Sequence, residues 1–258
     1  MSILSQILAT KREEIQEAKS TAPLSVIRQK IDDLPRPRDF LGAIRTGKPA
    51  VIAEIKRASP SKGILVQDFD HRKMARDFEE GGASALSVLT DRQFFHGHPQ
   101  YIADVRDVSR LPVLRKDFVM DEYQIIESRA LEADAVLLIV RILSDPLLKD
   151  LIDLSRTIGL AALVEIHNEE ELSMAVEAGA DLIGINNRDL ADFSVSIDRS
   201  LSLRSKIRHG ILTVSESGIQ SPEDVKVLAE AGFHAVLIGE SLAKSENRIQ
   251  SLREMIRE

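Results

Sequence analysis

The chain has 258 residues, of which 43% are hydrophobic and 29% charged, and its formal net charge is −7. This is the composition of an ordinary globular protein, and because no long basic run occurs we expect no nucleic-acid partner. The absence of cysteine excludes disulfides, thiolate metal sites and cysteine nucleophiles. No stretch approaches the roughly 18–20 apolar residues that span a bilayer. The N-terminus also lacks the apolar segment of a signal peptide, so we expect a soluble, cytoplasmic protein without a membrane partner.

Residues 1–50 precede the main pattern of the chain. Apolar residues here recur at helical spacing, which predicts an amphipathic helix. They are Leu4, Leu8, Ile15 and Ala18. The proline-rich segment Pro35–Arg38 then requires extended backbone. We expect an N-terminal helical extension packed on the rest of a single domain that spans residues 1–258.

Eight short apolar runs follow, and helical patterns separate them. The runs are Val51–Ile55, Ala85–Leu89, Pro112–Leu114, Ala135–Val140, Ala161–Val164, Leu182–Ile185, Ile211–Val214 and Ala235–Ile238. The amphipathic segments are Arg72–Glu80, Tyr101–Ser109, Glu122–Glu132, Pro146–Ile158, Glu169–Ala178, Ile197–Ile207, Pro222–Ala231 and Glu246–Arg257. Strands that alternate with helices at this spacing predict parallel βα units, and eight units predict a (β/α)8 TIM barrel. A doubly wound open sheet is the alternative.

A similar phrase ends several of the predicted helices. It occurs at Glu79–Ser84, Leu131–Ala135, Glu177–Leu182 and Glu230–Val236. In every case except the second, a glycine is available for the left-handed conformation that ends a helix.

Charged and amide side chains collect at the ends of five of the predicted strands. They are Glu54 and Lys56 after the first strand, Lys116 after the third, Glu165 after the fifth, Asn186 and Arg188 after the sixth, and Glu216 after the seventh. Residues two apart on a strand point to the same face, so Glu54 and Lys56 should lie side by side. Because the active site of such a barrel lies at the carboxyl ends of its strands, we interpret this set as active-site residues, with Arg188 binding substrate and the others catalytic.

Two glycine-containing loops have the character of a phosphate site. Ser217 and Gly218 follow the seventh strand, and Gly239 and Ser241 follow the eighth, where a short helix begins. Phosphate commonly binds between these two loops of a barrel, on backbone N–H groups. Ser59 and Lys62, in the first loop, could add contacts.

Other residue types indicate less. Phe94, Phe95 and Phe118 lie just beyond the second and third strands and could line a pocket for an aromatic ligand or pack as ordinary core. The six histidines are scattered, so no metal site is expected. No nucleotide-binding glycine motif occurs.

Taken with these residues, the chain resembles the indole-3-glycerol phosphate synthase family over its whole length. The matching segments are AEIKRASPSKG at Ala53–Gly63, LTDRQFFHG at Leu89–Gly97, LRKDF at Leu114–Phe118, DAVLLIVRIL at Asp134–Leu143, LVEIHN at Leu163–Asn168, IGINNRDL at Ile183–Leu190, SESGI at Ser215–Ile219 and LIGESL at Leu237–Leu242. None of the charged family positions differs.

The resemblance implies the substrate 1-(o-carboxyphenylamino)-1-deoxyribulose 5-phosphate, which closes a pyrrole ring, loses CO₂ and water, and gives indole-3-glycerol phosphate. It implies no metal or organic cofactor. A phosphorylated small molecule is then the partner, and we expect a monomer.

The resemblance also assigns roles. Lys116 would be the general acid on the substrate carbonyl, and Glu165 would transfer a proton in the dehydration. Glu54 would orient the lysines, while Lys56 would meet a substrate anion or serve in the dehydration. The substrate would be held by Asn186 and Arg188, its hydroxyls by Glu216, its phosphate by Ser217, Gly218, Gly239 and Ser241 with Ser59 nearby, and its ring by Phe94, Phe118 and Leu137.

Two alternatives remain at this point. One is another phosphate-binding barrel enzyme of isomerase or aldolase type, although an isomerase that needs a cysteine is disfavoured here. An aldolase could form a Schiff base on Lys56 or Lys116. The other alternative is a non-catalytic barrel, against which the complete set of charged strand ends argues.

Overall fold

The computed structural model describes residues 2–45, 49–189 and 194–256. Within them, eight parallel strands form a closed barrel: β1 (Ala50–Ile55), β4 (Ala85–Leu89), β5 (Val113–Lys116), β6 (Ala135–Ile139), β7 (Ala161–Ile166), β8 (Leu182–Asn186), β9 (Leu212–Glu216) and β10 (Ala235–Ile238). A small hairpin, β2 (Ala58–Ser59) and β3 (Gly63–Ile64), follows β1. Because β1 pairs with both β4 and β10, the sheet has no free edge. The predicted (β/α)8 barrel is confirmed, and the open-sheet alternative is excluded.

Helices surround this barrel. They are α1 (Ile3–Thr21), α2 (Leu24–Asp32), α3 (Phe40–Arg45), α4 (His71–Gly81), α5 (Gln100–Arg106), α6 (Glu122–Ala130), α7 (Asp145–Thr157), α8 (Glu169–Glu177), α9 (Asp198–Arg204), α10 (Pro222–Glu230), α11 (Glu240–Lys244) and α12 (Arg248–Ile256), with a 3₁₀ turn at Val140–Ile142. All eight predicted helices are present, and Arg257 of the last lies outside the described residues. None of the helices in the described ranges is long and apolar enough to cross a bilayer.

The helix ends follow from local chemistry. The side chain of Asp70 caps α4, and that of Asn168 caps α8, each by accepting a backbone N–H of the first turn. A left-handed residue follows several helices, such as Gly82 after α4, with φ of 99°. After α6 the residue with this conformation is Glu132, with φ of 62°, at the one predicted helix end that lacks glycine.

The core has two layers. Inside the barrel, side chains such as Ile52, Leu114 and Leu163 pack against one another. Between the barrel and the helices, a larger cluster includes Phe78 and Val136. The strands are therefore covered on both faces, which explains why their sequences are continuous apolar runs rather than alternating ones.

Helices α1 and α2 pack against the barrel beside β5 and α6. The Tyr123 hydroxyl donates to the carbonyl oxygens of Ala18 and Ala22, both at 3.0 Å. Lys19 on α1 pairs with Asp121 at 2.7 Å. The predicted apolar face of α1 is present, with Ile15 buried. The same face contains Ile7 and Lys11, which are also buried and which the apolar pattern did not include.

Candidate active site

A cavity of about 640 Å³ opens at the carboxyl ends of the barrel strands. Its wall includes all but one of the site residues predicted from the sequence: Glu54, Lys56, Ser59, Lys116, Phe118, Leu137, Glu165, Asn186, Arg188, Glu216, Ser217, Gly218, Gly239 and Ser241. The strand ends converge because each βα unit places the end of its strand on the same side of the barrel.

Phe94 is the exception. Asp91 Oδ1 accepts the backbone N–H groups of both Phe94 and Phe95, at 2.8 and 3.1 Å, and this fixes a tight turn after β4. Phe95 lines the cavity and packs against Phe118 with 6.1 Å between ring centroids, whereas Phe94 does not line it. The prediction that Phe94 is part of this wall is wrong by one residue, because the turn directs the two adjacent side chains differently.

Lys116 lies at the centre of the cavity floor. Its Nζ donates to Glu216 Oε2 at 2.6 Å and to Glu165 Oε2 at 3.1 Å. The Lys116 side chain is 14% exposed, while those of Glu165 and Glu216 are 3% and 2% exposed. One ammonium group is thus shared by two buried carboxylates, and only the lysine has appreciable contact with solvent.

Burial and mutual charge shift the pKa values of Lys116, Glu165 and Glu216 in different directions. Burial would lower the pKa of Lys116, but the carboxylates of Glu216 and Glu165 outweigh it and raise that pKa. Burial raises the pKa of Glu216 to about 7, against the attraction of Lys116. Burial would also raise the pKa of Glu165, but the charge of Lys116 and the contacts with neighbouring side chains outweigh it and lower that pKa. Near neutral pH, Lys116 therefore holds its proton and Glu165 is ionised, whereas Glu216 binds a proton more readily than an ordinary carboxylate does.

Glu54 and Lys56 form the second charged group. Their side chains pair directly, as the spacing along β1 predicts, and they are 6% and 17% exposed. Gly239 lies against this pair, since a Cβ on it would fall 2.9 Å from Lys56 Nζ and 3.1 Å from Glu54 Cδ. Because the φ of Gly239 is −119°, the lack of a side chain here provides space for this pair and is not needed for backbone conformation.

A second glycine makes room for Glu216. A Cβ on Gly184 of β8 would overlap the Glu216 carboxylate, whose Oε1 has no hydrogen-bond partner within the described residues. Asn186, at the end of the same strand, pairs in register with Glu216, and its side chain helps to lower the pKa of Glu165. It also accepts the backbone N–H of Arg188 at 3.0 Å. Asn186 therefore joins the acidic floor to the loop above it.

The rim after β9 and β10 is polar. Ser217 and Gly218 both have positive φ values, 67° and 79°, and such a conformation in a serine marks a constrained loop. Ser241 donates to the carbonyl oxygen of Ile219 at 3.2 Å, which ties the two loops together.

Cations lie above these loops. The Glu240 carboxylate lies 2.7 Å from Lys244, 3.5 Å from Lys62 of the first loop and 3.6 Å from Arg188. This side of the cavity thus combines glycine-containing backbone, hydroxyl groups and three basic side chains.

The opposite wall is apolar, and part of it was not predicted. Phe118 and Leu137 occupy their predicted places, and Leu89 and Ile139 extend the same surface. Three further apolar residues come from α1, namely Ile3, Leu4 and Ile7. A helical period in the sequence shows that α1 has an apolar face, but it does not show what that face covers.

Lys11 fixes α1 beneath this wall. Its Nζ lies 2.9 Å from Asp117 Oδ1, 3.3 Å from Asp91 Oδ2 and 2.6 Å from Glu14 Oε2. Asp117 directly follows Lys116, and its other oxygen accepts from Thr90 at 2.6 Å. The N-terminal helix is therefore connected by buried charges to the strand that carries the central lysine.

No cluster of metal-ligating side chains occurs in the residues that the structure describes. What the cavity contains is a proton donor, carboxylates with different proton affinities, an apolar wall and a cationic rim. This combination suits acid–base chemistry on an anionic substrate with a flat apolar part.

Comparison with known proteins shows that the chain matches one family along nearly its whole length. The family model of indole-3-glycerol phosphate synthase matches residues 4–255. The chain is 49% identical over 249 residues to the indole-3-glycerol phosphate synthase of Polaromonas sp. strain JS666, covering 95% of this chain and 94% of that protein. It is 48% identical over 250 residues to the enzyme of that name from Chloroherpeton thalassium, covering 95% and 96%.

Solved structures share the fold at much lower identity. The 3-hexulose-6-phosphate synthase of Salmonella typhimurium has a TM-score of 0.65 and 15% identity, over 80% of this chain and 96% of that one. The N-acetylmannosamine-6-phosphate 2-epimerase of Clostridium perfringens has a TM-score of 0.63 and 17% identity, over 81% and 93%.

Proposed function

Since the chain belongs to the indole-3-glycerol phosphate synthase family, a family of carboxy-lyases in tryptophan biosynthesis, we propose how its residues divide the family's reaction. The substrate is 1-(o-carboxyphenylamino)-1-deoxyribulose 5-phosphate, as the sequence resemblance implies. The observation that carries the proposal is Lys116 Nζ, held protonated between Glu165 and Glu216 at the floor of the cavity.

The proton balance of the reaction defines what the site must do. As the aromatic ring carbon attacks the carbonyl, the carbonyl oxygen takes a proton and becomes a hydroxyl. The carboxylate then leaves as CO₂, and its bonding electrons restore the aromatic ring. The hydroxyl takes a second proton and leaves as water, while a carbon next to it loses one. The site therefore supplies two protons to one oxygen and removes one proton from carbon.

We assign the first proton to Lys116, whose raised pKa keeps it charged in the free enzyme. Glu165 accepts the carbon-bound proton, because its lowered pKa keeps it ionised and ready to act as a base. Lys56 is paired with Glu54 on the other side of the cavity, and it either binds an anionic group of the substrate or assists departure of the hydroxyl in the dehydration. Asn186 holds the substrate, and Glu216 contacts the sugar hydroxyls.

We place the phosphate at the polar rim. The Ser217–Gly218 and Gly239–Ser241 loops present backbone N–H groups and hydroxyls there, with Ser59 nearby, and Arg188 and Lys62 supply positive charge. The aromatic ring then lies against the apolar wall of Phe118 and Leu137, joined by Phe95. Removal of water at this wall weakens solvation of the substrate carboxylate and so favours its loss as CO₂.

Further parts of the proposal concern the whole chain. We propose that residues 1–258 act as one barrel domain with residues 1–50 as its extension, and that the protein is a cytoplasmic monomer. Neither a nucleic acid, a membrane nor a cofactor takes part.

The experiment mixes purified protein with the substrate in the absence of added metal and follows indole fluorescence. The chain contains no tryptophan, so its own signal in this range is low. Lys116→Ala should abolish turnover. Lys149→Ala is the control, because Lys149 is 59% exposed on α7 and pairs only with Asp153 among the ion pairs of the described residues. Near-normal turnover in Lys116→Ala would overturn the assignment of the general acid.

A further inference from the structure

His167 lies directly behind Glu165 and does not line the cavity. It is the first residue after β7 and comes two residues after Glu165. The His167 side chain is 2% exposed. A buried histidine next to a carboxylate of the active site can influence that carboxylate without contact with the substrate.

One ring nitrogen of His167 faces Glu171 of α8. His167 Nδ1 lies 3.1 Å from Glu171 Oε2, and this oxygen also accepts the backbone N–H of His167 at 2.7 Å. The other Glu171 oxygen accepts from Arg141 Nε at 3.1 Å and from Asn168 at 3.2 Å. Burial would raise the pKa of Glu171, but the contacts with His167 and Arg141 lower it, so the group is ionised. An ionised carboxylate accepts hydrogen bonds only, and Nδ1 must therefore carry a proton.

The second ring nitrogen faces Glu165. His167 Nε2 lies 3.5 Å from Glu165 Oε1, and it has no hydrogen-bond partner within the described residues. The other oxygen of Glu165, Oε2, is the one that contacts Lys116. If Nε2 carried no proton, its lone pair would face the lone pairs of Oε1 in a buried site, which is unfavourable.

The surrounding charges alternate in sign. Arg141 in the 3₁₀ turn after β6 faces Glu171 on α8, Glu171 faces His167, and His167 faces Glu165 on β7. Lys116 on β5 lies on the far side of Glu165 and faces Glu216 on β9 in turn. A positive imidazolium would fit this alternation, since each ring nitrogen would then carry a proton on the side of a carboxylate.

We propose that His167 is a positioning residue that remains an imidazolium between Glu171 and Glu165 and keeps Glu165 ionised through the catalytic cycle. The reason lies in the order of the steps, and it depends on the role proposed above for Glu165. When Lys116 gives its proton to the substrate oxygen, Glu165 loses the charge of its main partner. The fixed charge of His167 prevents Glu165 from taking up a proton at this stage, so that its Oε2 can still accept the carbon-bound proton. The two His167 protons are not consumed.

Two substitutions separate charge from shape. In His167→Asn, the side-chain amide can take the place of Nδ1 and donate a hydrogen bond to Glu171. In His167→Gln, the longer side chain can place a neutral N–H donor where Nε2 faces Glu165. If the positive charge of His167 lowers the pKa of Glu165, both variants should raise that pKa. The acid-side midpoint of the pH profile of kcat should then rise by about one to three pH units, with little change in KM. If His167 only fills space, the amide of His167→Gln should restore the wild-type pH profile, and that result would overturn the proposal.

A direct measurement uses the free enzyme with ¹⁵N-labelled histidine. The signal of His167 is identified by its loss in His167→Gln, and at pH 7.5 both ring nitrogens should be protonated. A ring in which only one nitrogen is protonated would overturn the proposal. His234→Gln is the matched control for the loss of the His167 signal. The His234 ring accepts a hydrogen bond from the Thr213 N–H at 3.1 Å near the opposite end of the barrel, and it does not line the cavity. A normal kcat in Glu165→Gln would refute the role of Glu165 instead, and the NMR result would still decide the charge of His167.

Discussion

Replacement of Lys11 by methionine tests whether buried charge holds the N-terminal helix on the barrel. The Lys11 side chain is 4% exposed and pairs with Asp117, which is 2% exposed, and with Asp91, which is fully buried. Lys11→Met keeps the length of the side chain but leaves two buried carboxylates with less compensation. Removal of one partner from a buried ion pair typically costs about 3–5 kcal/mol.

The matched control is Lys19→Met on the same helix. Lys19 pairs with Asp121 at 2.7 Å, but its side chain is 38% exposed, and such surface pairs contribute about 0–1 kcal/mol. Urea unfolding followed by circular dichroism measures both variants. With a slope of about 3 kcal/mol per M, Lys11→Met should lower the urea midpoint by about 1–1.7 M. If the two variants differed by less than about 1 kcal/mol, the reasoning from burial would be refuted.

The pH dependence provides a second check on the same pair. Burial would raise the pKa of Asp117, but the charges of Arg115 and Lys11 outweigh it and lower the pKa to about 2. A folded-state pKa below the unfolded value of about 3.9 stabilises the fold above that pH, and the contribution is lost as pH falls toward 2. The difference in unfolding free energy between wild type and Lys11→Met should therefore narrow over this range. A constant difference would contradict the assignment to Asp117.

Three further predictions concern the cavity. In Glu216→Gln, the ionisation near pH 7 in the pH profile of kcat/KM should disappear, and an ionisation that persisted would belong to another group. The variant should also gain stability relative to wild type as pH rises from about 4.3 to 7, because a carboxyl pKa that is higher in the folded state opposes folding in that window. Glu165→Gln should lower kcat by about 10²–10⁴-fold with little change in KM, and stopped-time assays showing kcat within twofold of wild type would remove Glu165 from the mechanism. Gly239→Ala should lower kcat by about 10²-fold, because its Cβ displaces the Glu54–Lys56 pair, and unchanged kinetics would show that the pair can move at little cost.

The sequence was most informative where one rule of periodicity applied. Apolar runs alternating with amphipathic segments predicted every barrel strand, because strands covered on both faces require continuous apolar sequence. The side-by-side placement of Glu54 and Lys56 followed from the two-residue repeat of a strand. Since the strand ends of a barrel meet at one rim, the predicted charges also came together.

Features that depend on distant residues could not be predicted in this way. Lys11 has the pattern of a surface lysine, and only the carboxylates of Asp91 and Asp117, far along the chain, explain its burial. That Phe95 rather than Phe94 lines the cavity depends on the turn that Asp91 fixes. His167 was one scattered histidine in the sequence, and only the structure shows a carboxylate at each of its ring nitrogens.

The closed barrel also has a consequence for synthesis of the protein. The cavity wall extends from Ile3 to Lys244, and β1 pairs with β10, so that Ala50 lies opposite Ala235. A chain made from its N-terminus on the ribosome therefore cannot close the ring or complete the site until nearly all of it has been translated. Until then the pairing edge of β1 that later meets β10 is open. The nascent chain thus passes through an interval in which it offers a strand edge to other chains.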